Sequence, residues 1–83
     1  SISDTIDGKQ INNGNWEVLT VDFDLNYCAE ASPSSDDTYI TKIEIYDGSK
    51  LVKTVNDSAV NTDITLTPGT HYISSRAYNK IMF

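Results

Sequence analysis

Cysteine, histidine, tryptophan and methionine each occur once in this chain, and basic residues are half as frequent as acidic ones, 6 against 12. With Cys28 as the lone cysteine, the chain can build neither an internal disulfide nor a zinc site with two thiolates. That residue is expected to act as a small, partly buried hydrophobe. The single histidine, His71, comes without the nucleophile-elbow sequence of a serine hydrolase, so it reads as a strand-start residue. A formal net charge of −6 repels phosphate backbones and anionic lipid, which makes nucleic acid and membrane surfaces poor partners. No apolar run approaches the roughly 20 residues that span a bilayer. The polar opening SISDTIDGKQ is not a signal peptide, so no membrane insertion is expected and the chain reads as soluble. No window spaces apolar residues by three and four over a helical length, which leaves helix content near nil. Without a linker, an internal repeat or a low-complexity tract, residues 1–83 read as one domain.

What the sequence does have is alternation. Leu19, Val21, Phe23, Leu25, Tyr27, Ala29 and Ala31 alternate with Thr20, Asp22, Asp24, Asn26, Cys28 and Glu30, the period of a long strand with one wet face. Trp16 and Val18 have the opposite parity, so a bulge or a switch between sheets is expected between Val18 and Leu19. After the polar loop EASPSSDDT, a second strand places Tyr39, Thr41, Ile43 and Ile45 on one face and Ile40, Lys42, Glu44 and Tyr46 on the other. Asp47 and Gly48 supply the positive backbone angles of a tight hairpin, and LVKTV returns. Val60, Thr62, Ile64 and Leu66 mark a further strand that Pro68 and Gly69 end. Residues 70–79 begin another, with Ile73, Ser75 and Ala77 on a shared face. Ile2 and Ile6 suit a short edge strand, and Asn13 and Gly14 a turn. Six or seven short strands with turns every 8–12 residues or so predict an all-β antiparallel sandwich.

The run from ITKIEIYDGSKLVKT to LTPGTHYISSRAYN resembles the immunoglobulin-like domains of bacterial surface proteins, secreted glycosidases and phage virion proteins. The residues that carry the resemblance are Tyr46, Asp47 and Gly48, then Gly69, Thr70, His71, Ala77, Tyr78 and Asn79. Leu66, Pro68, Gly69, Thr70 and Tyr72 are similar to the fibronectin type III turn that holds a tyrosine corner. The resemblance covers about half the chain and implies an immunoglobulin-like sandwich, without specifying an activity. It departs from the family at its end. A last strand is expected after Ala77, Tyr78 and Asn79, but only Lys80, Ile81, Met82 and Phe83 follow, so the last strand reads as short or missing. Three completions are open: a stub strand, a strand borrowed from the N-terminal segment, or one from a neighbouring chain by strand addition.

Candidate chemistry is sparse. Asp22 and Asp24 share an outward face about 7 Å apart, and Asp36 and Asp37 could join Glu30 or Asp47 around calcium. Neither group shows the six to eight oxygens calcium takes, nor the cleft a glycosidase needs, so both read as ordinary polar surface. Lys42, Lys50, Lys53 and Lys80 are too interleaved with acids to form a basic patch. Trp16 and the five tyrosines could stack on sugars, yet Tyr39 and Tyr46 have opposite parity, and core and tyrosine-corner roles are expected for most of these rings. No catalytic residue, metal ligand or cofactor is assigned, and the chain is expected not to be an enzyme. The Asp, Asn, Ser and Thr-rich surface suits an extracellular, cell-surface or virion-exterior setting. There the expected function is structural: contact with protein subunits of a larger assembly, such as a virion decoration or tail protein or a fibre subunit, oligomeric in that context. Contact is expected at Ile81, Met82 and Phe83, with Ile2 and Ile6 as donor-strand anchors. The alternative is a glycan-binding or adhesion module of a secreted multidomain protein.

Overall fold

Leu25, Tyr27 and Ala29 are buried while Asn26 and Cys28 are half-buried and Glu30 is exposed, so the alternation in the sequence becomes a strand with one face in the core. The computed structural model describes the whole chain except Asn12, Asn15, Trp16, Asp22, Phe23 and Phe83, and of Glu17–Val21 it describes the backbone alone. Among the described residues eight strands form: β1 (Ile2–Ile6), β2 (Lys9–Gln10), β3 (Glu17–Val21), β4 (Leu25–Ala31), β5 (Thr38–Asp47), β6 (Lys50–Val55), β7 (Ala59–Ile64) and β8 (Gly69–Ile81). Seven of them are five residues or longer, as the spacing of turns predicts, and no helix occurs among the described residues.

All pairings are antiparallel, in two sheets of order β2-β1-β4-β7 and β3-β8-β5-β6. The sheets close on one core, with Leu25, Tyr27, Ala29, Val60 and Ile64 from the first and Ile43, Ile45 and Ile73 from the second. Each large apolar side chain buried this way contributes about 1.5–3 kcal/mol. Ile2, Ile6, Val52, Val55 and Leu66 pack around its margin.

Two expectations change. The long strand read from residue 19 to 31 is two strands, β3 in one sheet and β4 in the other. β3 ends at Val21 in one sheet and β4 begins at Leu25 in the other, so the change of sheet comes after Val21 and not between Val18 and Leu19. Parity cannot locate such a switch, because apolar residues face the core from both sheets. Of the pair Asp47 and Gly48, only Gly48 has a positive φ, +61°. Asn13 and Gly14 do form the expected turn, with φ of +54° and +84°.

The strand after residue 79 is not separate. Lys80 and Ile81 extend β8, opposite Tyr39 and Thr38 of β5. The place on the other side of β8 is taken over Gly69–Ile73 by β3, so the chain's own N-terminal half supplies part of the cover.

A polar clamp ties the sheets together. Asp4 is 1% exposed, and its Oδ2 accepts from the Gly14 amide at 3.1 Å and the Tyr27 hydroxyl at 2.7 Å. The Tyr27 oxygen also lies 2.7 Å from Ser75 Oγ on β8. Its one proton is given to the carboxylate, so Ser75 is the donor of that second bond. Burial, with the neighbouring Asp4 carboxylate, pushes the Tyr27 phenol far above its ordinary range despite the Ser75 bond. Gly14 fits here because a Cβ would stand 2.3 Å from Ile2 Cγ2.

Candidate interaction surface

β8 is regular along its pairing with β5, so its even-numbered residues share one face and its odd-numbered residues the other. Ile73 is fully buried, which makes the odd face the inner one and places Tyr72, Ser74, Arg76, Tyr78 and Lys80 outside. Opposite them on β5 stand Lys42 with Tyr78, Glu44 with Arg76, and Tyr46 with Ser74.

The register slips between Ile40 and Lys42, so Thr41 is an extra residue, and beyond it Tyr39 stands opposite Lys80. Tyr39 and Tyr46 are therefore on the same face, which corrects the expectation that opposite parity separates them. Leu51 of β6 stands opposite Tyr46. Four of the five tyrosines, Tyr39, Tyr46, Tyr72 and Tyr78, thus lie on the outer face of one sheet, and only Tyr27 serves the core. Tyr72, with the spacing of a tyrosine corner, has its ring on this face and is 48% exposed, alongside Tyr39 at 43% and Leu51 at 47%.

The centre of the face is tied together. The Lys42 ammonium lies 4.6 Å from the Tyr78 ring centroid and 3.6 Å from Glu44 Oε2. The Tyr46 hydroxyl donates to Glu44 Oε1 at 2.7 Å, and the Arg76 guanidinium lies 5.8 Å from the Tyr46 ring. Hydrogen bonds from Tyr78 and Tyr46, with Lys42 alongside, hold the Glu44 carboxyl below the usual carboxylate range. The bond to Glu44 in turn pushes the Tyr46 phenol up to about 12. Arg76, held higher by its bond to Tyr78, stays charged. Stacked cations and bonded phenols lose little further freedom on meeting a partner, which favours recognition. Three of the chain's six basic residues, Lys42, Arg76 and Lys80, occupy this face with Glu44 between them, on a chain of net charge −6.

At one end of the face His71 and Asp47 fix the loop before β8. Nδ1 of His71 lies 2.6 Å from Asp47 Oδ2 and Nε2 lies 2.7 Å from the Thr67 carbonyl oxygen. Two acceptors call for two ring N–H donors, so the arrangement suits the imidazolium. The Thr67 carbonyl first, then Asp47, raise the His71 pKa above its ordinary value. The other Asp47 oxygen accepts from the Tyr72 amide at 3.2 Å. Asp47 is thus engaged in this pin, while Asp36 and Asp37 lie exposed in the loop before β5. Among the described residues no three acid, His or Cys groups gather as metal ligands.

The opposite outer face is different in kind. Ser3, Thr5, Cys28, Glu30, Ala59 and Asn61 line a shallow trough there, and the half-buried Cys28 thiol donates to Asn26 Oδ1 at 3.2 Å. As for the expected contact residues, Ile81 and Met82 are displayed, 56% and 52% exposed. Ile2 and Ile6 instead pack against the chain's own core in β1, which pairs with both β2 and β4. Phe83, with Trp16 and Asp22, lies outside the described residues. The sequence offers Tyr72 and Tyr78 as stacking rings without joining them to Arg76 on one face, although their shared parity, opposite to that of the inner Ile73, is the signal that groups them. Tyr39 had no such signal, since nothing in the sequence marks the bulge at Thr41.

No protein-family model, no curated protein and no solved structure matches this chain.

Proposed function

We propose that this chain is a non-catalytic interaction module, immunoglobulin-like in type, on the exterior of a larger assembly such as a virion or a surface fibre, and that the tyrosine-bearing face is its contact surface. One observation carries the reading: every tyrosine outside the core, with half of the basic residues, is gathered on one face of an acidic chain. Tyrosine and arginine are the side chains enriched where proteins meet, since they bring large contact area and a polar tip at low entropic cost. The exposed Ile81 and Met82 extend the surface at one end of β8. Two groups capable of acid–base chemistry are engaged in structural bonds, with both ring nitrogens of His71 bonded and Asp4 sealed in the core.

Tyr39→Ser and Tyr72→Ser test the reading. Both are expected to lower retention of the chain on its parent assembly at least tenfold, because an interface hot spot is worth about 2 kcal/mol or more, while Thr5→Ala on the opposite face leaves retention unchanged. Equal retention of all three variants contradicts the proposal.

A glycan-binding reading has one observation in its favour: the exposed rings of Tyr39 and Tyr72 share a flat face on which sugars can stack. Binding on a glycan array that Tyr72→Ser abolishes favours that reading over protein contact, and silence across the array counts against it.

A further inference from the structure

β8 has two edges with different cover. On one side β5 runs beside it from Asp47 to Thr38. On the other, among the described residues, β3 accompanies Gly69–Ile73 alone, and the last backbone bond is from the Ser75 amide to the Gly14 carbonyl oxygen, 2.9 Å. In a strand, alternate residues turn their backbone groups to alternate sides. The Tyr78 carbonyl oxygen accepts from the Thr41 hydroxyl and the Met82 amide donates to Asp37 O, both on the β5 side. Ser75 points the other way, so Ala77, Asn79 and Ile81 direct their N–H and C=O groups to the side β3 leaves open. Among the described residues no strand lies beside residues 77–81 there.

We infer that this open edge, residues 77–81 of β8, accepts an extended segment of a partner protein as an added strand, and that the segment it fits carries acidic side chains on its outward face. An unpaired row of backbone donors and acceptors is a template for strand addition, in which main-chain bonds give affinity and alternate side chains give specificity. The charge next to the row decides the occupant. Arg76, Tyr78 and Lys80 line the outward side of this edge, and Lys42 stands behind Tyr78. Glu44, the acid among them, is already bonded to Tyr46 and paired with Lys42. Outward carboxylates on the added strand meet Arg76 and Lys80. On its other side apolar residues meet Ala77 and the side chain of Ile81, which is 56% exposed. Asn79 does not block the edge, since its side chain accepts from the Ser34 amide at 3.1 Å.

The inference rests on reading the chain as an interaction module and specifies the partner. The probes are three nine-residue peptides: one alternating Glu and Val, one alternating Lys and Val, and the acidic one with N-methyl groups on alternate residues. Amide hydrogen exchange of the labelled chain is followed residue by residue. With the acidic peptide at about ten times its Kd, exchange at Ala77, Asn79 and Ile81 is expected to slow about tenfold. The lysine and N-methyl peptides are expected to leave these amides unchanged, and Arg76→Glu with Lys80→Glu should reverse the preference between acidic and basic peptides. The inference is overturned if none of the peptides protects the three amides, or if the basic peptide protects them as well as the acidic one. Protection that rises with chain concentration in the absence of peptide also overturns it, because the occupant is then a second copy. Peptide-induced shifts confined to Tyr39, Tyr46 and Tyr72 overturn the edge inference and leave the tyrosine-face reading standing. Edge protection combined with unchanged retention of Tyr39→Ser and Tyr72→Ser does the opposite.

Discussion

Replacing Tyr27 with Phe removes one oxygen from the middle of the sandwich and keeps the ring that fills the core. That oxygen donates to Asp4 Oδ2 at 2.7 Å and accepts from Ser75, also at 2.7 Å. Asp4 is 1% exposed, and its Oδ1 has no partner among the described residues, so in the variant the carboxylate keeps only the Gly14 amide. A hydrogen bond to a charged group contributes about 1.5–3 kcal/mol, and leaving a buried acceptor short of partners is penalised further, so a loss of about 2–3 kcal/mol is expected. In a domain of this size 1 kcal/mol shifts the Tm by about 4–8 °C, so the Tm should fall by about 10–20 °C. Urea unfolding followed by far-ultraviolet circular dichroism should show a lower midpoint with the slope unchanged, because the same surface is exposed on unfolding. Pairing the change with Asp4→Ala closes a double-mutant cycle. Once the carboxylate is gone, Tyr27→Phe should lose most of its effect, a coupling of about 1–3 kcal/mol. A Tyr27→Phe variant that unfolds with the parent chain, or two changes that simply add, refutes the clamp.

Gly14→Ala should be far worse than Gly8→Ala. Both positions have positive φ, but a Cβ at Gly8 meets open space and at Gly14 stands 2.3 Å from Ile2 Cγ2. The expected losses by thermal melting are about 1–2 kcal/mol for Gly8→Ala and about 2–4 for Gly14→Ala; equal losses contradict the packing. His71 has a raised folded pKa, so the stability it supplies is fully present below its ordinary value of 6.5 and fades as pH rises through the folded value. The Tm of the parent chain should therefore decline in that window and that of His71→Gln should not. A ring titration by NMR at or below 6.5 refutes the pin. Ile81→Ser with Met82→Ser should change stability by less than about 0.5 kcal/mol, since both side chains are more than half exposed, yet weaken retention on the parent assembly.

The inner half of the fold could be read from the sequence because burial enforces period two. Leu25, Tyr27 and Ala29, or Ile43 and Ile45, leave no other assignment. The break between β3 and β4 could not, because residues that face the core from either sheet look the same in one dimension. The outer face was half visible. Tyr72, Arg76, Tyr78 and Lys80 follow from β8's parity alone, whereas Tyr39 joins them only through the extra residue at Thr41. The bond of Asp4 to Tyr27 and the pin of His71 to Asp47 span 23 and 24 residues of sequence, and no local pattern announces either. Ile2 and Ile6 looked available for a partner because the strand β1 makes with β4 is a long-range pairing.

The most direct test of the account places a photo-crosslinking amino acid at one position at a time in the chain expressed in its own host. Positions 39, 72 and 80 sample the tyrosine-bearing face, and positions 5, 30 and 61 the opposite sheet. The account predicts covalent adducts to partner protein from the first set and none from the second. Adducts confined to positions 5, 30 and 61, with positions 39, 72 and 80 silent, contradict it.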